Sequence, residues 1–124
     1  MGDVKMAAKK TSTKLLNTLL DLEGVDAVTV VGRDGFVIEN ASNTDLDLDA
    51  VGAIVSTGFG ASEVMAEEMN IGKITQTMVE CDLGKIIMAD CDEAILAVIT
   101  DSAAVIGKIR HNILKLIDDL KKTI

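Results

Sequence analysis

Three features of this sequence predict an α+β fold, a five-stranded antiparallel sheet with helices on both faces. Apolar residues recur at helical spacing in three separate stretches. Five short apolar or β-branched runs lie between them. Most of those runs are joined by turns too short for anything but antiparallel pairing. The resulting order is α-β-β-α-β-β-β-α over 124 residues, the size of one domain. A basic lead-in, residues 1–10, is expected to precede a single domain spanning 11–124.

The first helix is expected from Thr11 or Ser12, either of which suits an N-cap, to about Glu23. Its stripe is Leu15, Leu16, Leu19 and Leu20, and Gly24 ends it. Ala27 to Val31 is a β-branched run that reads as a buried strand. Gly32-Arg33-Asp34-Gly35 is a tight turn, since Asp-Gly is a strong hairpin signal. Phe36 to Glu39 returns, and Asn40 to Asp47 reads as a polar loop.

The second helix, Leu48 to Asn70, organises the chain. Asp47 and Asp49 stand at its start, where the helix terminus favours negative charge. Asn70-Ile71-Gly72 stands at its end, where a left-handed cap residue is expected. Its core face is expected to be Leu48, Val51, Ile54, Val55, Gly58, Ser62, Met65 and Met69. Gly52, Ser56 and Gly60 form a line of small side chains beside that face. Each helical glycine costs about 1 kcal/mol relative to alanine, so the line calls for a reason. Two readings are open: the same helix of a second subunit packs there, or the chain's own fold does.

Lys73 to Cys81 has no purely apolar face, which suits an edge strand or one that pairs with another chain. Asp82-Leu83-Gly84 reads as a three-residue turn that sets Cys81 opposite Lys85. Lys85 to Ala89 is a strand, and Asp90 to Glu93 an acidic turn. Ala94 to Thr100 is nearly all apolar and reads as a central strand buried on both faces. Asp101 or Ser102 is then expected to cap a last helix to about Lys122, with a stripe of Val105, Ile106, Ile109, Ile113, Leu116, Ile117 and Leu120.

Composition narrows the function. The net charge is −8, and Phe36 and Phe59 are the only aromatic residues. Both facts count against nucleic acid, which is held by cations and stacking rings. The charge is uneven: residues 1–20 carry +3, 103–124 carry +3, and 21–102 carry −14. No stretch reaches the roughly 18 apolar residues of a membrane span, and the N-terminus lacks the apolar core of a secretory signal. A cytoplasmic protein is expected.

Catalytic, metal and cofactor sites are not expected. The single histidine, His111, stands beside Arg110 and Asn112 with no nucleophile placed to use it. Asp45, Asp47 and Asp49 have the spacing of a calcium loop. However, Ala50 stands where that loop needs glycine and Ser56 where it needs glutamate. Gly58-Phe59-Gly60 lies inside a helix and so does not form a phosphate loop. In the expected register Cys91 lies opposite Thr75 and about 20 Å from Cys81, too far for a disulfide, so both thiols are expected to be free.

Two segments resemble a known family. Ala27 to Asn40, a hydrophobic strand, an Arg-Asp-Gly turn and an apolar-polar strand, resembles the hairpin that opens the roadblock domain. Ala94 to Lys122 resembles that family's last strand and final helix, with the long second helix fitting between. The likeness spans about residues 12–122 and is nearest the prokaryotic, MglB-like type of this roadblock and dynein light-chain family, whose architecture is profilin-like. It implies a homodimer through the second helix and third strand, with Gly52, Ser56, Gly60, Thr75, Thr77 and Val79 at the contact. It also implies a protein that is not an enzyme but a regulator or scaffold for a small Ras-like GTPase, in some members stimulating GTP hydrolysis. The alternative is a dimeric adaptor that assembles a motor, polarity or signalling complex without affecting nucleotide turnover. The partner surface is expected on the acidic side of the long helix, at Glu63, Glu67 and Glu68.

Overall fold

A computed structural model describes the backbone of residues 2–124 and the side chains from residue 11 onward. The order of elements is the expected one: α1 (Gly2–Leu20), β1 (Val25–Gly32), β2 (Val37–Ser42), α2 (Leu48–Glu68), β3 (Gln76–Cys81), β4 (Gly84–Cys91), β5 (Ala94–Asp101) and α3 (Ile106–Thr123). The strands form one antiparallel sheet in the order β2-β1-β5-β4-β3. β5 is the middle strand, as its apolar run predicts, and β3 is an edge.

Helices cover both faces. α1 and α3 pack together on one, where Leu16, Leu19, Ile109, Ile113, Leu116 and Leu120 meet Val28, Val30, Ile87, Leu96 and Val98. α2 lies on the other, where Val55 and Phe59 meet Val31, Met88, Ile95 and Ala97. Alternation along each strand sorts residues to one core or the other.

Four expectations need correction. First, α1 starts at Gly2 and ends at Leu20, so its backbone runs through most of the basic lead-in. The lead-in side chains lie outside the described residues. Second, Gly84 belongs to β4 and not to a turn. It pairs with Cys81 across a two-residue loop, which moves the β3–β4 register by one and sets Thr75 beside Asp90 instead of Cys91. The glycine is needed because a Cβ there would lie 2.0 Å from the Thr100 carbonyl oxygen. Third, β2 runs on to Ser42, because Asn40 pairs with Thr29 and its Oδ1 accepts the Thr29 hydroxyl at 2.7 Å. Fourth, α3 starts at Ile106. Asp101 accepts from the Ala103 N–H at 2.8 Å, closing a turn rather than capping the helix. That turn packs on Gly24, at φ +83°, where a Cβ would meet Ala104 at 2.6 Å.

Both caps of α2 form. The Asp47 carboxylate accepts from the Ala50 N–H at 3.2 Å, and Asn70 takes φ +54° beyond the last turn.

Candidate interaction surface on the second helix

The side of α2 that meets the sheet is only partly the expected one: Val55 is buried and Val51 packs beside it as expected, whereas Phe59, not read as core, joins them. Its buried residues are Gly52, Val55 and Phe59, at steps of three and four. Ile54, Met65 and Met69, read as core, are 66%, 62% and 69% exposed. The helix has two apolar sides, and the one chosen is the one that brings Gly52 against the β1–β2 turn. A Cβ on Gly52 would lie 2.1 Å from the Gly35 carbonyl oxygen. Ser56 continues this contact, since its Oγ is 3.4 Å from where a Gly35 Cβ would be. That Oγ donates to the Gly52 carbonyl at 2.9 Å.

The close backbone approach signalled by the line of small residues therefore occurs within the chain at Gly52 and Ser56. Gly60, the third of the line, has nothing within 4 Å of its Cβ position and faces open space.

The uncovered apolar side of α2 adjoins β3. Thr77 pairs with Met88 and Val79 with Ile86, and both partners belong to the α2-side core. Thr77 and Val79 thus share that face, and Val79 is 44% exposed. Thr75 is exposed just before the strand, its carbonyl accepting from the Asp90 N–H at 3.0 Å. A groove lined by Ser62, Met65, Met69, Ile71, Thr75 and Thr77 runs between helix and strand. Beyond it the β3 edge has no neighbouring strand. An open edge beside an exposed apolar helix side is chemically suited to pairing with another polypeptide.

The flank of α2 near the hairpin turns is polar, and Arg33 organises it. Its guanidinium pairs with Glu63, pairs with Asp90 at 2.6 Å, and donates Nε–H to the Asp92 carbonyl at 3.0 Å. The plane lies over the Phe59 ring, 5.4 Å from its centroid. One side chain thus ties the β1–β2 turn to α2 and to the β4–β5 turn. This role was not read from the sequence. The available signal was that Arg33 is one of two arginines in the chain and sits in a hairpin turn.

Beside this clip opens a cleft of about 1080 Å³, lined by Glu63, Glu67, Lys73, Asp90, Asp92 and Glu93 among others. Lys121 of α3 reaches Asp92 at 3.7 Å. Of the three glutamates expected to meet a partner, Glu63 is engaged by Arg33, whereas Glu67 and Glu68 are exposed. Cys91 lies buried nearby. Burial pushes its thiol up to about 11, the Asp92 and Asp90 carboxylates adding to the rise and Lys121 opposing it. Cys81 is exposed on β3, and both cysteines are free.

His111 is exposed on α3, away from these residues in sequence and on the opposite helical layer. Among the described residues no group of three or more His, Cys, Asp or Glu side chains converges as a metal site, and no helix is long and apolar enough to cross a membrane.

Comparison with known proteins agrees with this architecture. An uncharacterized protein of Methanocaldococcus jannaschii is 39% identical over 108 residues, covering 87% of this chain and 95% of its own. The gliding protein MglB of Thermus thermophilus superposes with a TM-score of 0.86 at 16% identity, covering 94% of this chain and 90% of that one. MglB of Myxococcus xanthus gives 0.84 at 19% identity, covering 90% and 93%. The Roadblock/LC7 domain matches residues 11–100, from the middle of α1 to near the end of the central strand β5. With sheet order, helix placement and family match in accord, the chain belongs to the Roadblock/LC7 domain family.

Proposed function

We propose that this chain is a non-catalytic dimeric regulator or scaffold that binds a small Ras-like GTPase in the cytoplasm, with stimulation of that partner's GTP hydrolysis as the activity to test. The observation that carries the reading is the uncovered apolar side of α2, Ile54 and Met65, next to Val79 on the open β3 edge. A second copy related by a twofold axis would cover both features at once, joining two sheets along β3 and two helices along Ile54, Ala61 and Met65. Membership of the roadblock family and the MglB-like fold support it.

The dimer would hold its partner on the α2 side, where Glu67 and Glu68 are free to meet a basic surface. Arg33 is committed to Glu63 and Asp90, so the reading gives it a structural role, and any stimulation of hydrolysis would come from positioning the GTPase's own groups.

The test has two parts. Light scattering at micromolar concentration should show a dimer that Ile54→Lys with Met65→Lys converts to a folded monomer. A Ras-like GTPase from the same organism should bind the dimer in its GTP state, with hydrolysis measured with and without this protein. A wild-type monomer would remove the dimer reading. Binding with unchanged hydrolysis would leave the scaffold, and no binding would favour the adaptor.

A further inference from the structure

The two basic segments of the sequence are more than 80 residues apart, and the fold places them side by side. α1 contains four lysines against one aspartate. α3 contains four lysines and one arginine against two aspartates. Together they carry +6, and the rest of the chain −14. Lys14, Lys108, Arg110, Lys115 and Lys122 are exposed on this layer, with Leu114 exposed among them at 65%. The four carboxylates of α2, with no cation in that helix, occupy the opposite layer.

We propose that the outer α1/α3 face is a docking surface for an anionic lipid bilayer. The proposal rests on the dimer reading above for its size. In a twofold dimer whose sheets join antiparallel along β3, the axis is perpendicular to the sheet. Both copies then present α1 and α3 on the same side, giving a broad face of four basic helices, while both α2 helices point away. The four carboxylates of α2 do not oppose this geometry strongly. The acidic helix lies beyond a sheet and a helical layer, each about 10 Å thick. That separation is roughly twice the distance of 8–10 Å over which salt screens charge. Lysines at the surface therefore respond to the bilayer first, each worth about fivefold in partitioning. Leu114 can enter the headgroup boundary beside them. A nucleic acid is the poorer occupant, because the exposed side chains of this face include no aromatic ring to stack on bases.

The experiment is co-sedimentation of the full chain with phosphatidylcholine vesicles, with and without about a quarter phosphatidylserine, at low salt and at about 0.5 M salt. Binding is expected only to the anionic vesicles at low salt. The triple variant Lys108→Glu, Lys115→Glu, Lys122→Glu, whose substitutions are all on the exposed helix surface, should lose at least about a hundredfold. Circular dichroism should show it folded, and Asp49→Asn on the opposite layer, exposed at the start of α2, should bind as the wild type does. No partition to anionic vesicles, equal binding by the triple variant, or tighter binding to a DNA oligonucleotide would overturn the proposal. Light scattering in the same buffer separates the failures: a dimer that ignores vesicles refutes this surface alone, whereas a monomer refutes the reading on which its extent depends.

Discussion

Gly52 and Gly35 meet backbone to backbone, so close that a side chain on Gly52 would enter the Gly35 carbonyl oxygen at 2.1 Å. Gly35 itself takes φ +91°, a conformation that L side chains rarely adopt. The pair fixes how α2 rolls on the sheet. Val55 and Phe59 point down into the core, and Ile54 and Met65 point out.

The two ends of the small-residue line should therefore respond oppositely to alanine. Gly52→Ala must move helix or turn and should cost about 1–3 kcal/mol or more. Gly60→Ala meets no atom and should stabilise the chain by up to about 1 kcal/mol through helix propensity. Urea unfolding of each variant measures the difference. Equal effects would mean that the contact at Gly52 is not what limits that position.

Arg33 and Asp90 should be coupled. Both side chains are about one-third exposed, at 32% and 31%, so solvent weakens the pair. A double-mutant cycle with Arg33→Gln and Asp90→Asn should return about 0.5–1 kcal/mol. Arg33→Lys should recover only part of it, because an ammonium cannot span Glu63, Asp90 and the Asp92 carbonyl together. Zero coupling would show the clip to be incidental.

The two thiols should differ in reactivity. Cys81 is exposed and should react promptly with a thiol reagent at neutral pH, while Cys91 should react only on unfolding. The Cys91 pKa is raised in the fold from its ordinary 9.0 to about 11, so folding favours the neutral thiol. That contribution to stability is complete below about pH 9 and is lost as pH rises through about 11. Cys91→Ser should flatten this alkaline decline, which pH-dependent unfolding curves can show.

Charge reversal separates steering from folding. Glu67→Lys with Glu68→Lys leaves the Arg33 clip intact, and its effect on stability should fall within about 0.5 kcal/mol. Association with the GTPase should slow about tenfold at low salt and converge with the wild type at high salt. An unchanged rate would move the partner to another face. Glu63→Lys cannot serve alone, since it also breaks the contact with Arg33.

Local rules wrote much of this fold into the sequence. Asp47 and Asn70 mark the ends of α2 because capping needs only the backbone beside them. The Arg-Asp-Gly turn is legible because Gly35 must take positive φ, and the run from Ala94 shows a central strand because both its faces are buried. Tertiary structure decided the rest. α2 has two apolar sides of similar hydrophobicity, and periodicity cannot rank them; the approach of Gly52 to Gly35 does. The β3–β4 register turned on Gly84, whose need for glycine comes from Thr100 on a third strand and not from its own turn. Arg33 reads alone as a turn residue, and its partners Phe59, Glu63 and Asp90 come from elements 26 to 57 residues away, joined only when helix and sheet close over them. Caps and turns depend on neighbours in sequence, whereas rolls, registers and charge clips depend on neighbours in space.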